Sequence, residues 1–233
     1  MSLAEILKSA SFSDSGLTTA IPGAWTQGRT GYGGLTAALC LAGAERLAEG
    51  RALRSAQIGF VGPSAGAVTV QAQTVRSGRT AASVRACLSS AQGPGVEALF
   101  TFSARRDSVL DQPGQPAPAA PAPGEAALVF PDQAPDFTRQ LEFVWKSDTA
   151  PFLGGRDPYE LSWVRHRDPA SRAHPLALMC LADALPPAVS TTLTGFTPLS
   201  SMTWMIDFYA DAPRTEDGWW LLEARSDFAA GGH

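Results

Sequence analysis

One arrangement of apolar and polar positions occurs twice along this chain. An almost wholly apolar stretch of small residues covers positions 31–44, and a second covers positions 174–183. Each is followed by segments in which apolar and polar residues alternate: 54–61, 67–76 and 80–89 after the first, and 199–209 and 219–228 after the second. Because a helix that is apolar on every side has to be buried, each half predicts a central helix wrapped by an antiparallel sheet.

The repeat indicates an internal duplication whose two copies differ in their ionisable residues. Ile58-Gly59-Phe60-Val61 and Ile206-Asp207-Phe208-Tyr209 occupy equivalent places after their helices. The second helix carries Asp183, whereas the first carries nothing ionisable before Glu45. An aspartate with apolar neighbours is partly desolvated, and desolvation raises its pKa towards the range of a general base. Asp183 is therefore the first candidate for a catalytic group; the alternative is that it faces solvent near the end of the helix.

A change of composition divides the chain. Residues 105–136 contain seven prolines among alanine, glycine, aspartate and glutamine, with few residues that could form a core. The predicted organisation is an N-terminal domain over residues 1–104, a Pro/Ala-rich linker over 105–136 and a C-terminal domain over 137–233.

Composition narrows the function classes. The chain has 233 residues, of which 45% are hydrophobic and 17% charged, so it can bury a sizeable core. Its net charge of −4 and the absence of a basic run argue against nucleic acid as a partner. The N-terminal residues read as a short amphipathic helix capped by Ser2, and no apolar run reaches the roughly 20 residues that span a membrane. We expect a soluble, cytoplasmic protein without a membrane partner.

Four features together resemble one known family. They are Tyr32-Gly33-Gly34 at the first helix, the strand and turn Ile58-Gly59-Phe60-Val61-Gly62-Pro63, Ala182-Asp183 inside the second helix, and the closing strands that contain Ser201-Met202-Thr203 and Trp219-Trp220-Leu221-Leu222. In their order and spacing the chain resembles the type II acyl-CoA thioesterases. The resemblance implies an α+β fold of two tandem hotdog folds, a double hotdog, each with a long buried helix wrapped by an antiparallel sheet.

The resemblance also implies a reaction and a site. In that family a helix carboxylate, a strand hydroxyl and a glutamine hold the water that attacks a thioester; Asp183 and Ser201 match the first two positions. The glutamine belongs to a last strand that would follow residue 233, so the C-terminal hotdog is expected to lack its last strands. The implied substrate is an acyl-CoA used in fatty acid metabolism, with no cofactor and no metal, and the implied assembly is a homo-oligomer.

The start of the first helix is a candidate substrate-binding element. Backbone N–H groups at Tyr32, Gly33 and Gly34 could meet a carbonyl oxygen or a phosphate, because the N-terminus of a helix attracts negative charge. Close packing of the glycines against a neighbouring element is the alternative.

Three other interpretations remain open at this stage. A non-catalytic acyl or acyl-CoA binding protein on the same fold is the main one. Ser64 lies in Gly62-Pro63-Ser64-Ala65-Gly66, which matches the G-x-S-x-G motif of serine hydrolases, but the following residues alternate as a strand where that motif requires a helix. His166 and His174 are too far apart in the sequence, and have too few further ligands, to predict a metal site.

Overall fold

The computed structural model of the protein describes residues 1–124 and 132–232. Its first half contains, in chain order, helix α1 (Leu3–Ser9), strands β1 (Ser11–Ser13), β2 (Gly16–Ile21), β3 (Thr26–Gln27) and β4 (Thr30–Gly31), helix α2 (Gly33–Glu45), and strands β5 (Ala52–Phe60), β6 (Gly66–Ser77), β7 (Ala81–Ser90) and β8 (Gly93–Ser103). The predicted N-terminal helix is confirmed: Ser2 and Glu5 form a capping box at the start of α1.

The second half contains shorter elements. They are strands β9 (Leu141–Trp145) and β10 (Tyr159–His166), helices α3 (Pro169–Arg172) and α4 (Ala177–Leu181), and strands β11 (Thr203–Asp207) and β12 (Trp220–Arg225). Single 3-10 turns cover Gly23–Trp25, Asp136–Gln140 and Ala188–Thr192.

The first half has the predicted arrangement of a helix inside a sheet. Strands β1, β2, β6, β7, β8 and β5 lie side by side in that order, and every neighbouring pair is antiparallel. Helix α2 packs against one face of this sheet, and its residues from Gly34 to Ala44 are all buried. A hairpin at Ser77-Gly78-Arg79, between the alternating segments 67–76 and 80–89, joins β6 to β7.

One strand of the second half completes the sheet of the first. Strand β11 pairs antiparallel with β5, with Met205 opposite Gln57, and becomes the seventh strand of the sheet. A twofold rotation about this position exchanges the two strands. It places Ile58 and Phe60 of β5 in positions equivalent to Ile206, in β11, and Phe208, just after it. The strands that follow the two buried helices are therefore related by a local twofold axis, which agrees with the internal duplication that the repeated tetrapeptide indicates.

The remaining strands of the second half form a sheet of three, in the order β12, β10, β9. Helix α4 lies between this sheet and α2. It is shorter than the predicted helix over 174–183, because the residues before it form a separate turn. In that turn the Leu176 N–H donates to Nδ1 of His174 at 3.2 Å, and the Ala177 N–H donates to the His174 carbonyl at 2.9 Å.

The proline-rich segment contains no helix or strand over residues 105–124, and the part of the predicted linker over 125–131 lies outside the described residues. It contacts the second sheet where the indole N–H of Trp163 donates to the Pro121 carbonyl at 2.8 Å. The domain limits at 104 and 137 stay a prediction, since β11 joins the sheet of the first half. Among the helices in the described ranges, none is both long and apolar enough to cross a membrane.

Candidate active site

Asp183 lies in the turn that follows α4. The helix ends at Leu181, and the N–H of Ala184 closes the turn by donating to the Leu181 carbonyl at 2.9 Å. This turn directs the Asp183 side chain towards the N-terminus of α2. There the backbone N–H of Gly34, in the first turn of α2, donates to the Asp183 carboxylate. The site therefore contains groups from both halves of the chain.

The two glycines at the start of α2 allow this close approach. A Cβ atom at Gly33 would lie 2.6 Å from Oδ2 of Asp183 and 3.1 Å from the ring of Phe60. A Cβ atom at Gly34 would overlap the carbonyl oxygen of Cys180. Close packing, the alternative interpretation of these glycines, is thus observed, and the element they pack against is the end of α4.

Burial determines the protonation of the Asp183 carboxyl. Removal from water raises its pKa to about 7, while the hydrogen bond from the Gly34 N–H lowers it. The partial positive charge at the N-terminus of α2 also favours the carboxylate. Around neutral pH the group exchanges between its protonated and unprotonated forms, which is the condition for efficient general-base catalysis.

Tyr32 is the N-cap residue of α2, and its side chain is fully buried. Its hydroxyl donates to the carbonyl oxygen of Cys180 at 2.8 Å, and its ring stacks on Phe137 at a centroid distance of 3.9 Å. Burial, followed by the nearby carboxylate of Asp183 and the thiol of Cys180, raises the pKa of this hydroxyl well above its ordinary value. The Tyr32 side chain thus contacts α4, and only its backbone lies at the helix N-terminus where a substrate was predicted.

Ser201 lies just before β11, close to the end of β5 that contains Phe60. It makes no hydrogen bond with Asp183. It precedes Met202, whose carbonyl accepts a hydrogen bond from the Phe60 N–H at 2.9 Å, and Phe60 in turn reaches Gly33. Ser201 is exposed, and within the described residues its hydroxyl has no hydrogen bond. Asp183, Gly33 and Gly34 are thus brought together, whereas Ser201 makes no hydrogen bond with any of them in the described structure.

The competing candidates lack the geometry that their chemistry requires. Ser64 is followed by strand β6, as predicted, and its hydroxyl is buried with no hydrogen-bond partner in the described structure. His166 is buried, and its Nε2 lies 3.0 Å from the Ala177 carbonyl. In the described ranges no group of three or more histidine, cysteine or acidic side chains could hold a metal ion.

Sequence reasoning missed one residue near this site, Phe137, and one elsewhere, Glu160. Phe137 stacks on Tyr32, although it lies at the boundary of the predicted linker, where nothing in the sequence marks it. Glu160 on β10 is fully buried, accepts a hydrogen bond from the Ser190 hydroxyl at 3.0 Å through Oε1, and has no partner for Oε2. Its position in the alternating pattern of β10, on the same face as Val164, was the available signal.

A cavity of about 750 Å³ opens at the other end of α4. Its apolar wall includes Leu178 and Met179 of α4, Leu53 of β5, Phe208 and Trp220. Asp183 is not among its lining residues, so the cavity and the carboxylate lie at opposite ends of this short helix.

Comparisons with known proteins agree with this architecture. Residues 21–103 match the acyl-CoA thioesterase N-terminal domain, and residues 113–233 match the acyl-CoA thioesterase C-terminal domain. The chain belongs to the acyl-CoA thioesterase family, as its resemblance to the type II enzymes predicted. A comparison with curated protein sequences gives no match.

Solved structures share the fold at low sequence identity. A putative thioesterase II from Thermobifida fusca is 17% identical with a TM-score of 0.81, covering 100% of this chain and 88% of its own. A TesB protein of Mycobacterium avium subspecies paratuberculosis is 19% identical with a TM-score of 0.74, and the match covers 99% of this chain and 89% of that protein. The acyl-CoA thioesterase II TesB2 of Mycobacterium marinum is 18% identical with a TM-score of 0.65, and the match covers 98% of this chain and 86% of that protein. These likenesses confirm the predicted double-hotdog fold.

Proposed function

We propose that the protein hydrolyses an acyl-CoA thioester by direct attack of water, with Asp183 as the general base. The observation that carries this proposal is the half-buried Asp183 carboxylate at the N-terminus of α2, with a pKa raised to about 7 by its partial removal from water. A base with a pKa near the working pH can both exist unprotonated and accept a proton from water. The mechanism needs no covalent intermediate, no cofactor and no metal.

In this proposal Asp183 accepts a proton from water in the first step and returns it to the leaving thiolate in the second. The Asp183 carboxylate takes a proton from water while the water oxygen attacks the thioester carbonyl carbon. The tetrahedral intermediate then expels the coenzyme A thiolate, which receives the proton back from Asp183. The products are a carboxylic acid and a free thiol.

The start of α2 supplies the second group in this proposal. A helix N-terminus stabilises negative charge, and Gly33 lies beside the carboxylate in the first turn of α2. We assign the Gly33 N–H to the carbonyl oxygen of the thioester, since the Gly34 N–H is used by Asp183. The hydroxyl of Ser201 is assigned to the attacking water, which requires the exposed segment before β11 to move towards Asp183.

Hydrolysis of a panel of acyl-CoA esters, followed by release of the free thiol, tests the proposal. The wild type is expected to hydrolyse at least one panel member, and Asp183→Asn is expected to lose most of that activity because the amide cannot accept a proton. Ser64→Ala is the matched control, since Ser64 is buried without a partner and is expected to be dispensable.

Three outcomes would redirect the proposal. Equal activity of Asp183→Asn and the wild type would show that Asp183 is not the general base. Tight binding of acyl-CoA without hydrolysis by any member of the panel would favour the non-catalytic binding protein. Loss of activity in a folded Ser64→Ala variant would favour a serine hydrolase.

A further inference from the structure

We propose that Tyr32 is a positioning residue for Asp183: its hydroxyl holds the C-terminal end of α4 where the carboxylate reaches the Gly34 N–H. This inference rests on the proposed function, because Asp183 is taken as the reacting group. Tyr32 itself does not touch the substrate in this scheme, since its side chain is fully buried.

The first step of the argument is a carbonyl that the helix leaves without its own partner. In a continuing helix the Cys180 carbonyl would accept from the N–H of Ala184, four residues later. Here the Ala184 N–H donates to Leu181 instead, at 2.9 Å, so the Cys180 carbonyl lacks that bond. The Tyr32 hydroxyl replaces it at 2.8 Å. A side chain from the first half therefore caps the last turn of α4.

The second step is that Tyr32 is itself fixed from several sides. Its backbone N–H donates to the Trp25 carbonyl at 2.8 Å, and its own carbonyl accepts from the Thr36 N–H at 3.1 Å. Its ring lies parallel to Phe137, with an interplanar angle of 7°. The hydroxyl is consequently a rigid reference point at the start of α2.

The third step is that Asp183 has little freedom to move. It follows Cys180 by three residues, and its Oδ2 lies so close to Gly33 that a Cβ atom there would clash with it, at 2.6 Å. A shift of the Cys180 carbonyl moves the carboxylate relative to the Gly34 N–H. Misplacement of a reacting group by about 1 Å costs on the order of 100-fold in rate, so the capping bond affects the reaction.

Replacement of Tyr32 by phenylalanine tests the inference, because it removes one oxygen and keeps the stacked ring. The Gly34 N–H lowers the pKa of Asp183, so a looser contact is expected to raise that pKa above its present value of about 7. The expected result is a fall of about 10- to 100-fold in kcat with KM unchanged, and a shift of the acid limb of the pH profile to higher pH. Titration of the Asp183 carboxyl carbon by NMR gives the same pKa without any assay of activity.

Two controls separate positioning from a general loss of stability. Tyr159→Phe removes a hydroxyl from β10, away from Asp183, and is expected to leave both kcat and the Asp183 titration unchanged. In an Asp183→Asn background, Tyr32→Phe is expected to cause no further loss, because the effect passes through the carboxylate.

The following results would overturn the inference. One is an unchanged pKa of Asp183 in a folded Tyr32→Phe variant. Another is an equal loss of kcat when Tyr32→Phe is made in the wild type and in the Asp183→Asn variant. If Tyr32→Phe does not fold, 3-fluorotyrosine can replace all three tyrosines in the chain. Its more acidic hydroxyl strengthens the capping bond and must change the Asp183 titration, and an unchanged titration again overturns the inference. A wild type that hydrolyses no thioester would refute the proposed function alone, since the NMR titration would still decide the role of Tyr32.

Discussion

Gly33 and Asp183 are packed so closely that no side chain fits between them. A Cβ atom on Gly33 would lie 2.6 Å from Oδ2 of Asp183, which is shorter than any ordinary contact. One residue begins the helix of the first half and the other follows the helix of the second. The candidate site therefore depends on the way the two halves meet.

Gly33→Ala is expected to lower thioesterase activity by about 100-fold, because the new methyl group displaces the carboxylate from the Gly34 N–H. Gly59→Ala on β5 is the matched control, since a Cβ there would meet nothing nearer than 3.8 Å. Steady-state kinetics of both variants, with a circular dichroism melt, would check this. Equal activity of the two variants would mean that the carboxylate position is not critical.

The pH profile of the reaction is expected to follow the ionisation of Asp183. The base acts unprotonated, and burial raises its pKa to about 7. Below this value kcat/KM should fall about tenfold per pH unit, and above it the rate should level off. Measurement between pH 5 and 9 tests the prediction, and a flat profile or a rate that falls with rising pH on the acid side would contradict it.

Glu160 is expected to make the protein less stable as the pH rises. Burial raises the pKa of this carboxyl from 4.5 to about 8, so between these values the folded state holds a proton that the unfolded state has lost. Over that window the free energy of unfolding should fall with pH, by about 1.4 kcal/mol per pH unit from this group. Above about pH 8 its contribution becomes constant.

Glu160→Gln tests this prediction, since glutamine keeps an acceptor for the Ser190 hydroxyl and does not titrate. Urea unfolding of both proteins at pH 5 and pH 8 gives the comparison. The variant should lose less stability over this range than the wild type. The same pH dependence in both would mean that Glu160 is not the responsible group; the remaining slope includes Asp183, whose raised pKa acts in the same direction.

Glu142 is expected to stabilise the second sheet through two arginines. Its carboxylate lies 2.6 Å from Arg165 and 3.4 Å from Arg172, and it is only 15% exposed. Glu142→Gln should destabilise the protein by about 1–3 kcal/mol, because it leaves two partly buried cations without their anion. Glu223→Gln, which breaks the more exposed pair with Arg225, should cost less than about 0.5 kcal/mol in the same urea titration. Similar costs for both would show that burial of the pair is unimportant.

The alternating and uniformly apolar patterns were sufficient to predict most of the fold. Helix α2 is buried on every side because it carries no polar face, and the hairpin at Gly78 follows from the turn residues between two alternating segments. The length of α4 could not be obtained in this way. An apolar pattern does not show that the His174 carbonyl and imidazole accept hydrogen bonds in a separate turn before that helix.

Asp183 and the two glycines of the candidate site could be singled out from the sequence, but the way they come together could not. Asp183 stood out as an acid among apolar neighbours, and the glycines stood out at a helix start. Their meeting depends on the antiparallel packing of α2 on α4, to which the sequence of either half gives no clue. The role of the Tyr32 hydroxyl was also hidden, because its partner is a backbone carbonyl 148 residues away, which no side-chain pattern can indicate.

The pairing of β5 with β11 has a consequence for how this molecule can change by mutation. In a symmetric pair of identical chains, every substitution alters both copies at once, so a residue that suits one side has to be tolerated on the other. Here the two related strands belong to one chain, and each position varies alone. The first strand keeps Gly59 where the second keeps Asp207, for example. A single active site without twofold symmetry can therefore arise within two halves that are related by a twofold axis.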